Sequence, residues 1–199
     1  MIKLLFLLPL VLLVSEYDQY GALDQLRNKL KEGEVLQGEM DHTFEDQYTG
    51  NVEQHTGKIW IGKDRYKIDV GSQQVLVIDD VSRVYNQPEN RVIISRYEPE
   101  EDDFAPSRLL NLSDELFKIE ERRENGKYKI HLESEDPFEE LRTVAIELDE
   151  NLIPLKIDAE DQTGNQYSTA FRDARFEVFD EDIFTLDYPD DAEIIDMRE

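Results

Sequence analysis

Apolar and polar residues alternate along most of this chain, most densely over residues 57–96. Gly57-Lys58-Ile59-Trp60-Ile61-Gly62 is followed by Arg65-Tyr66-Lys67-Ile68-Asp69-Val70, then by Val75-Leu76-Val77-Ile78, Arg83-Val84-Tyr85-Asn86 and Arg91-Val92-Ile93-Ile94. A period of two, broken every few residues by Gly, Pro, Asn or Asp, predicts an antiparallel meander. Strand material also runs from Glu34 to Tyr48, with Val35, Met40 and Phe44 as apolar positions. Thr49-Gly50-Asn51 then turns the chain into a second long strand that ends near Ile61.

The second half repeats the pattern. Leu116 to Glu120, a turn at Glu124-Asn125-Gly126, and the alternating Tyr128, Ile130 and Leu132 form a hairpin signature, because Asn-Gly suits the tight turn that matches strand twist. Val144, Ile146 and Leu148 alternate, Asp149-Glu150-Asn151 turns, and Ile153, Leu155, Ile157 and Ala159 alternate again. Tyr167, Phe171 and Phe176 follow, and Phe184 to Pro189 reads as a last edge segment closed by its proline.

Two stretches break the period. Tyr17, Tyr20, Leu23, Leu26 and Leu30 recur every three or four residues, and Lys29, Lys31 and Gly33 mark the end of an amphipathic helix. Pro106-Ser107-Arg108-Leu109-Leu110 predicts a short central helix with an apolar Leu pair. The fold class is therefore mainly β with a helical lid. About eleven antiparallel strands make one curled sheet, because twist prevents a sheet of that size from staying flat. The sheet forms an incomplete barrel, with the N-terminal and central helices covering its concave face.

The extreme N-terminus changes the cellular picture. Met1-Ile2-Lys3 is a basic start, and Leu4 to Val14 is an apolar run of 11 residues. That order and length predict a secretory signal peptide, residues 1–15, cut after Ser15, and leave one domain over residues 16–199. Cysteine is absent, so neither a disulfide nor a lipid-bearing thiol is expected, and the mature protein is expected to be soluble and monomeric in the periplasm.

Charge narrows the partners. The chain has 47 acidic and 22 basic residues, a net charge of −25, which repels nucleic acid and anionic membrane surfaces. With 39% of residues apolar and periodically placed, the excess charge reads as a solvated surface rather than disorder. A halophilic habitat would screen it. The acidic run Glu98 to Asp103 lacks the alternation and the glycine of a calcium loop.

Motifs that carry chemistry are sparse. His42, His55 and His131 are scattered without metal-ligand spacing, and no nucleophile elbow, P-loop or dinucleotide fingerprint is present. The sequence thus predicts no enzyme, cofactor or metal.

In this order and spacing, several segments resemble the outer-membrane lipoprotein carrier family, the LolA-type periplasmic chaperones. They are the helix ending at Lys31-Glu32-Gly33; Gly57 to Ile68; Val77-Ile78-Asp79-Asp80 with Val84-Tyr85-Asn86; Pro106 to Leu110; Leu152 to Asn165; and Phe184 to Ile195. The resemblance implies a hydrophobic cavity that shields lipoprotein acyl chains between an inner-membrane transporter and an outer-membrane acceptor. The alternative is a periplasmic lipid- or lipoprotein-sensing module on the same fold. Parity places Ile59, Ile61, Tyr66 and Ile68 as cavity wall; a one-residue slip would put Trp60 inside instead. Leu23, Leu26, Leu109 and Leu110 are the lid positions. The family's lid-latching arginine is matched by Lys63, a point charge where a planar fork would stand, and Asp80 replaces an expected glycine.

Overall fold

The computed structural model describes residues 21–98 and 116–198. The expected signal peptide, the central helix with Leu109 and Leu110, and most of the acidic run fall outside them. Helix α1 (Ala22–Lys31) leads into β1 (Glu34–Glu45), β2 (Val52–Ile61), β3 (Arg65–Asp69), β4 (Gln73–Ile78), β5 (Val81–Asn86) and β6 (Arg91–Arg96). After the segment outside the description come β7 (Phe117–Glu124), β8 (Lys127–Ser134), β9 (Leu141–Leu148), β10 (Pro154–Asp161), β11 (Gln166–Val178) and β12 (Glu193–Asp196).

Among the described residues all twelve strands belong to one sheet, in the order β12-β6-β5-β4-β3-β2-β1-β11-β10-β9-β8-β7. Two meanders, β1–β6 and β7–β11, join where β1 pairs with β11. The expected curled antiparallel sheet with a helix in its hollow is what the structure has. Its twelfth strand differs: β12 runs parallel to β6, Ile194 opposite Val92. The edge segment expected over Phe184–Pro189 is instead preceded by a 3-10 turn, Glu181–Phe184, started by the Asp180 carboxylate accepting from Asp182 N–H, and it forms no strand. The final strand lies beyond it. The alternation rule misplaced it because four residues are too few to show a period.

Local chemistry fixes the turns. Asn125 and Gly126 both have positive φ (53° and 81°), the pairing a two-residue hairpin requires. Between β4 and β5, Asp79 adopts φ 53°, so an aspartate takes the left-handed position in the turn whose glycine is missing.

The sheet has two apolar faces of unequal size. The inner face and α1 share one core, containing Leu23, Leu26, Leu36, Met40, Ile59, Ile61, Tyr66, Ile68, Ile130, Val144 and Ile146. A smaller core lies on the outer face, where the C-terminal tail crosses the sheet and Phe184 packs against Val35 and Leu76, with Trp60, Ile78 and Leu186 partly buried around them. Arg65 closes this outer core, its guanidinium 5.0 Å from the Phe179 ring centre and 5.5 Å from that of Phe184.

Candidate functional site

The wall positions lie together. Ile59 and Ile61 on β2 face the same way as Ile68 and Tyr66 on β3, their direct partners in the ladder. Strand alternation puts all four on the inner face, where each is at most 2% exposed. Val77 and Val75, opposite Tyr66 and Ile68 on β4, continue the wall, and Leu36 and Met40 extend it across β1. Trp60 points to the outer face, where its indole N–H donates to Gln37 Oε1 at 3.0 Å and the Lys67 ammonium lies 5.4 Å from its ring centre.

Leu23 and Leu26 are buried in the same core as this wall, together with Ala22 and Leu30. The helix owes this to its three-four spacing, which collects the leucines on one stripe. Both ends of α1 are held by polar contacts. At its C-terminus, Lys29 lies 3.3 Å from a Glu34 carboxylate oxygen and 4.8 Å from the Phe176 ring centre, and Gly33 (φ 93°) reverses the chain. At its N-terminus the N-cap residue, Gly21, makes no side-chain cap. The Glu121 carboxylate of β7 does so instead, accepting from Ala22 N–H at 2.6 Å and Leu23 N–H at 3.2 Å. The helix therefore bridges from the far sheet edge, β7, to the central strand β1.

Glu121 was missed because β7 reads as polar. The signal was its parity with Phe117 and Ile119, which puts Glu121 on the same side of the strand as they are and opposite Lys118, Glu120 and Arg122.

Lys63 stands in the β2–β3 turn with its side chain 60% exposed, and its ammonium lies 3.7 Å from Asp64. It lines an open cleft of about 450 Å³, together with Asp79, Asp80 and the wall residues Tyr66 and Val77. Tyr97, whose ring packs edge-on against Tyr66 at 6.0 Å, also lines it. The cleft thus reaches the rim of the inner wall at Tyr66 and Val77, both of which stay buried, with Arg65 on its other side. A second cleft, of about 390 Å³, lies over Ala145 on the outer face of β7–β10 between charged side chains such as Arg122, Lys129 and Asp158, away from that wall.

A buried histidine sits within the inner face. His42 on β1 is 4% exposed, its Nδ1 is 2.9 Å from Thr169 Oγ1 of β11, and His55 lies directly opposite on β2. Burial, reinforced by the nearby His55, lowers its pKa to about 4, so it is neutral at ordinary pH. Among the described residues no cluster of His, Asp or Glu could hold a metal ion, and no helix is long and apolar enough to cross a membrane.

No family model matches the chain, and no curated protein does. Solved structures do. An uncharacterized conserved protein from Thermus thermophilus superimposes with a TM-score of 0.55 at 11% identity, over 88% of this chain and 99% of that one. A putative outer membrane lipoprotein-sorting protein domain from Vibrio parahaemolyticus matches at 15% identity and TM-score 0.44, over 82% and 94% of the two chains. A LolA superfamily protein from Nitrosomonas europaea matches at 10% identity and TM-score 0.44, over 84% and 99%. At such identities the likeness is one of fold. The chain shares its fold with the Thermus protein over most of both chains.

Proposed function

We propose that this protein is a periplasmic carrier that shields the acyl chains of lipoproteins against the inner face of its sheet and ferries them from inner to outer membrane. The observation that carries the reading is one continuous apolar wall, Ile59, Ile61, Tyr66 and Ile68, that shares a single core with the leucines of the short helix α1. The sequence resemblance and the fold point the same way. Residues 1–15 serve as the export signal and 16–199 as the carrier domain, which works without an enzymatic step. Lys63, at the mouth of the cleft onto Tyr66, latches the lid, and Leu109 and Leu110 complete that lid.

The energetics favour exchange of helix for cargo. Uncovering Leu23, Leu26 and Leu30 costs roughly 5–9 kcal/mol at about 1.5–3 kcal/mol per leucine. An acyl chain of about 16 carbons recovers on the order of 12 kcal/mol relative to water at about 0.8 kcal/mol per methylene. The lid can therefore stay shut when empty and still yield to one chain. An inner-membrane transporter would load the carrier and an outer-membrane acceptor would unload it.

Mass spectrometry of an organic extract of the protein isolated from periplasm tests the reading. Lipoprotein or acylated peptide should co-purify, and an environment-sensitive fatty-acyl probe should bind the protein and be displaced by a synthetic lipopeptide. Neither co-purification nor probe binding would end the carrier reading.

A further inference from the structure

We propose that Glu121 is a releasable clasp for α1: its carboxylate, reaching in from the edge strand β7, holds the helix N-terminus down, and letting go is the step that uncovers the inner wall. Three observations meet at this point. The carboxylate accepts two main-chain N–H groups at once, from Ala22 and Leu23. These are among the donors a helix leaves unsatisfied at its start, and a negative charge there also meets the positive end of the helix dipole. The residue at the N-cap position is Gly21, and a Cβ on it would stand 2.6 Å from Glu121 Oε1. A side chain there would evict the carboxylate. Gly21 has φ −59°, an angle open to any residue, so its lack of a side chain serves space and not backbone freedom.

The placement makes the contact a clasp and not an ordinary cap. A usual N-cap comes from the residue next to the helix and travels with it. Glu121 lies about a hundred residues away along the chain, on the strand at the opposite end of the sheet from β12. Without it, the N-terminal half of α1 loses its hold on β7 and keeps the leucine stripe and its remaining side-chain contacts, since the Lys29–Glu34 pair lies at the other end. The helix can then pivot about Gly33, where φ 93° already marks a turn. The clasp is polar and Glu121 is exposed, so the contact exchanges readily for water in a way that buried leucine contacts do not.

The purpose assigned to the clasp rests on the carrier reading; its existence does not. Amide hydrogen exchange on the purified protein tests it directly, comparing wild type with Glu121→Ala, Glu121→Gln and Gly21→Ala. The amides of Leu26 to Lys31 should exchange at least about tenfold faster in Glu121→Ala, the factor expected when one charge-assisted contact of about 1.4 kcal/mol is lost. Glu121→Gln, which keeps an acceptor but no charge, should fall between. Gly21→Ala should reproduce Glu121→Ala, and combining the two should add nothing, because both remove one contact. Amides of Val144 to Leu148 should not change. Unchanged exchange in α1, acceleration spread equally over α1 and β9, or full additivity of the two substitutions would each overturn the clasp. With a dansylated fatty acid as probe, the same variants should load faster by a similar factor. If wild type and variants all fail to bind it while α1 still loosens, the clasp stands and the carrier reading falls.

Discussion

Protonating His42 should cost the fold about 3 kcal/mol, and that cost can be isolated. The imidazole is buried within the inner face, and its pKa is lowered from 6.5 to about 4 chiefly by desolvation, with His55 across the β1–β2 ladder pushing the same way. Its neighbour on the other side, Thr169, is uncharged. A depressed histidine pKa means that the unfolded chain takes up the proton first as pH falls. The neutral histidine's contribution is therefore fully present above pH 6.5 and is lost progressively as pH drops from 6.5 to about 4. At 1.36 kcal/mol per unit the full loss is about 3 kcal/mol, of which about 2 has gone by pH 5. The surface carboxylates also begin to titrate in that range, so wild type alone cannot separate the effects. Urea denaturation of wild type and His42→Gln at pH 7.5 and pH 5 does, because the carboxylate contribution is common to both and cancels. Wild type should lose about 2 kcal/mol more than the variant between the two pH values. Equal losses would refute the account, whatever the variant's absolute stability.

Three further outcomes are expected. Leu26→Ala, which removes a fully buried lid side chain, should lower urea stability by about 3 kcal/mol and leave space that raises the affinity of a fatty-acyl probe, read by fluorescence titration. Arg65→Ala, which strips the guanidinium from Phe179 and Phe184 on the outer face, should cost about 1 kcal/mol in denaturation while leaving probe affinity unchanged. At net −25, the melting temperature should climb as NaCl goes from about 0.01 M to 1 M, where the screening length falls from about 30 Å to 3 Å; a flat series would remove salt adaptation from the picture.

The sheet was legible because its period-two signal is strong and its turns carry their own chemistry. Parity alone grouped Ile59, Ile61, Tyr66 and Ile68 on one face and Trp60 on the other, and the fold decided that the first face is the inner one. The leucine stripe of α1 was legible for the same kind of reason. What escaped was everything decided by long-range contact. Nothing near Glu121 in sequence tells that a helix begins beside it, and nothing near Gly21 tells that its missing side chain makes room for a carboxylate. The tail was misread because Phe184 and Pro189 do look like an edge, whereas the tail lies flat over Val35 and Leu76 on the outer face. His42 was one of three scattered histidines until β11 brought Thr169 to it.

The two faces of this sheet bury apolar surface in ways that differ in reversibility, and that difference bears on function. On the outer face the cover is stapled by its own aromatic ring: Phe184 sits in the sheet, Arg65 stacks over it, and the chain then runs on into a main-chain ladder with β6. Lifting that cover would break a core contact, a cation–π stack and a strand together. On the inner face the cover among the described residues is the 10-residue α1, too short to be stable in water without its packing, held at its ends by carboxylates that water and salt can replace. A fold that needed only stability could have fixed both covers alike. Among the described residues the larger apolar surface has the cover that is easier to lift, and a cleft reaches its rim beside Tyr66. That asymmetry is what a protein requires if its inner face must be shut to water at one moment and given to an acyl chain at the next.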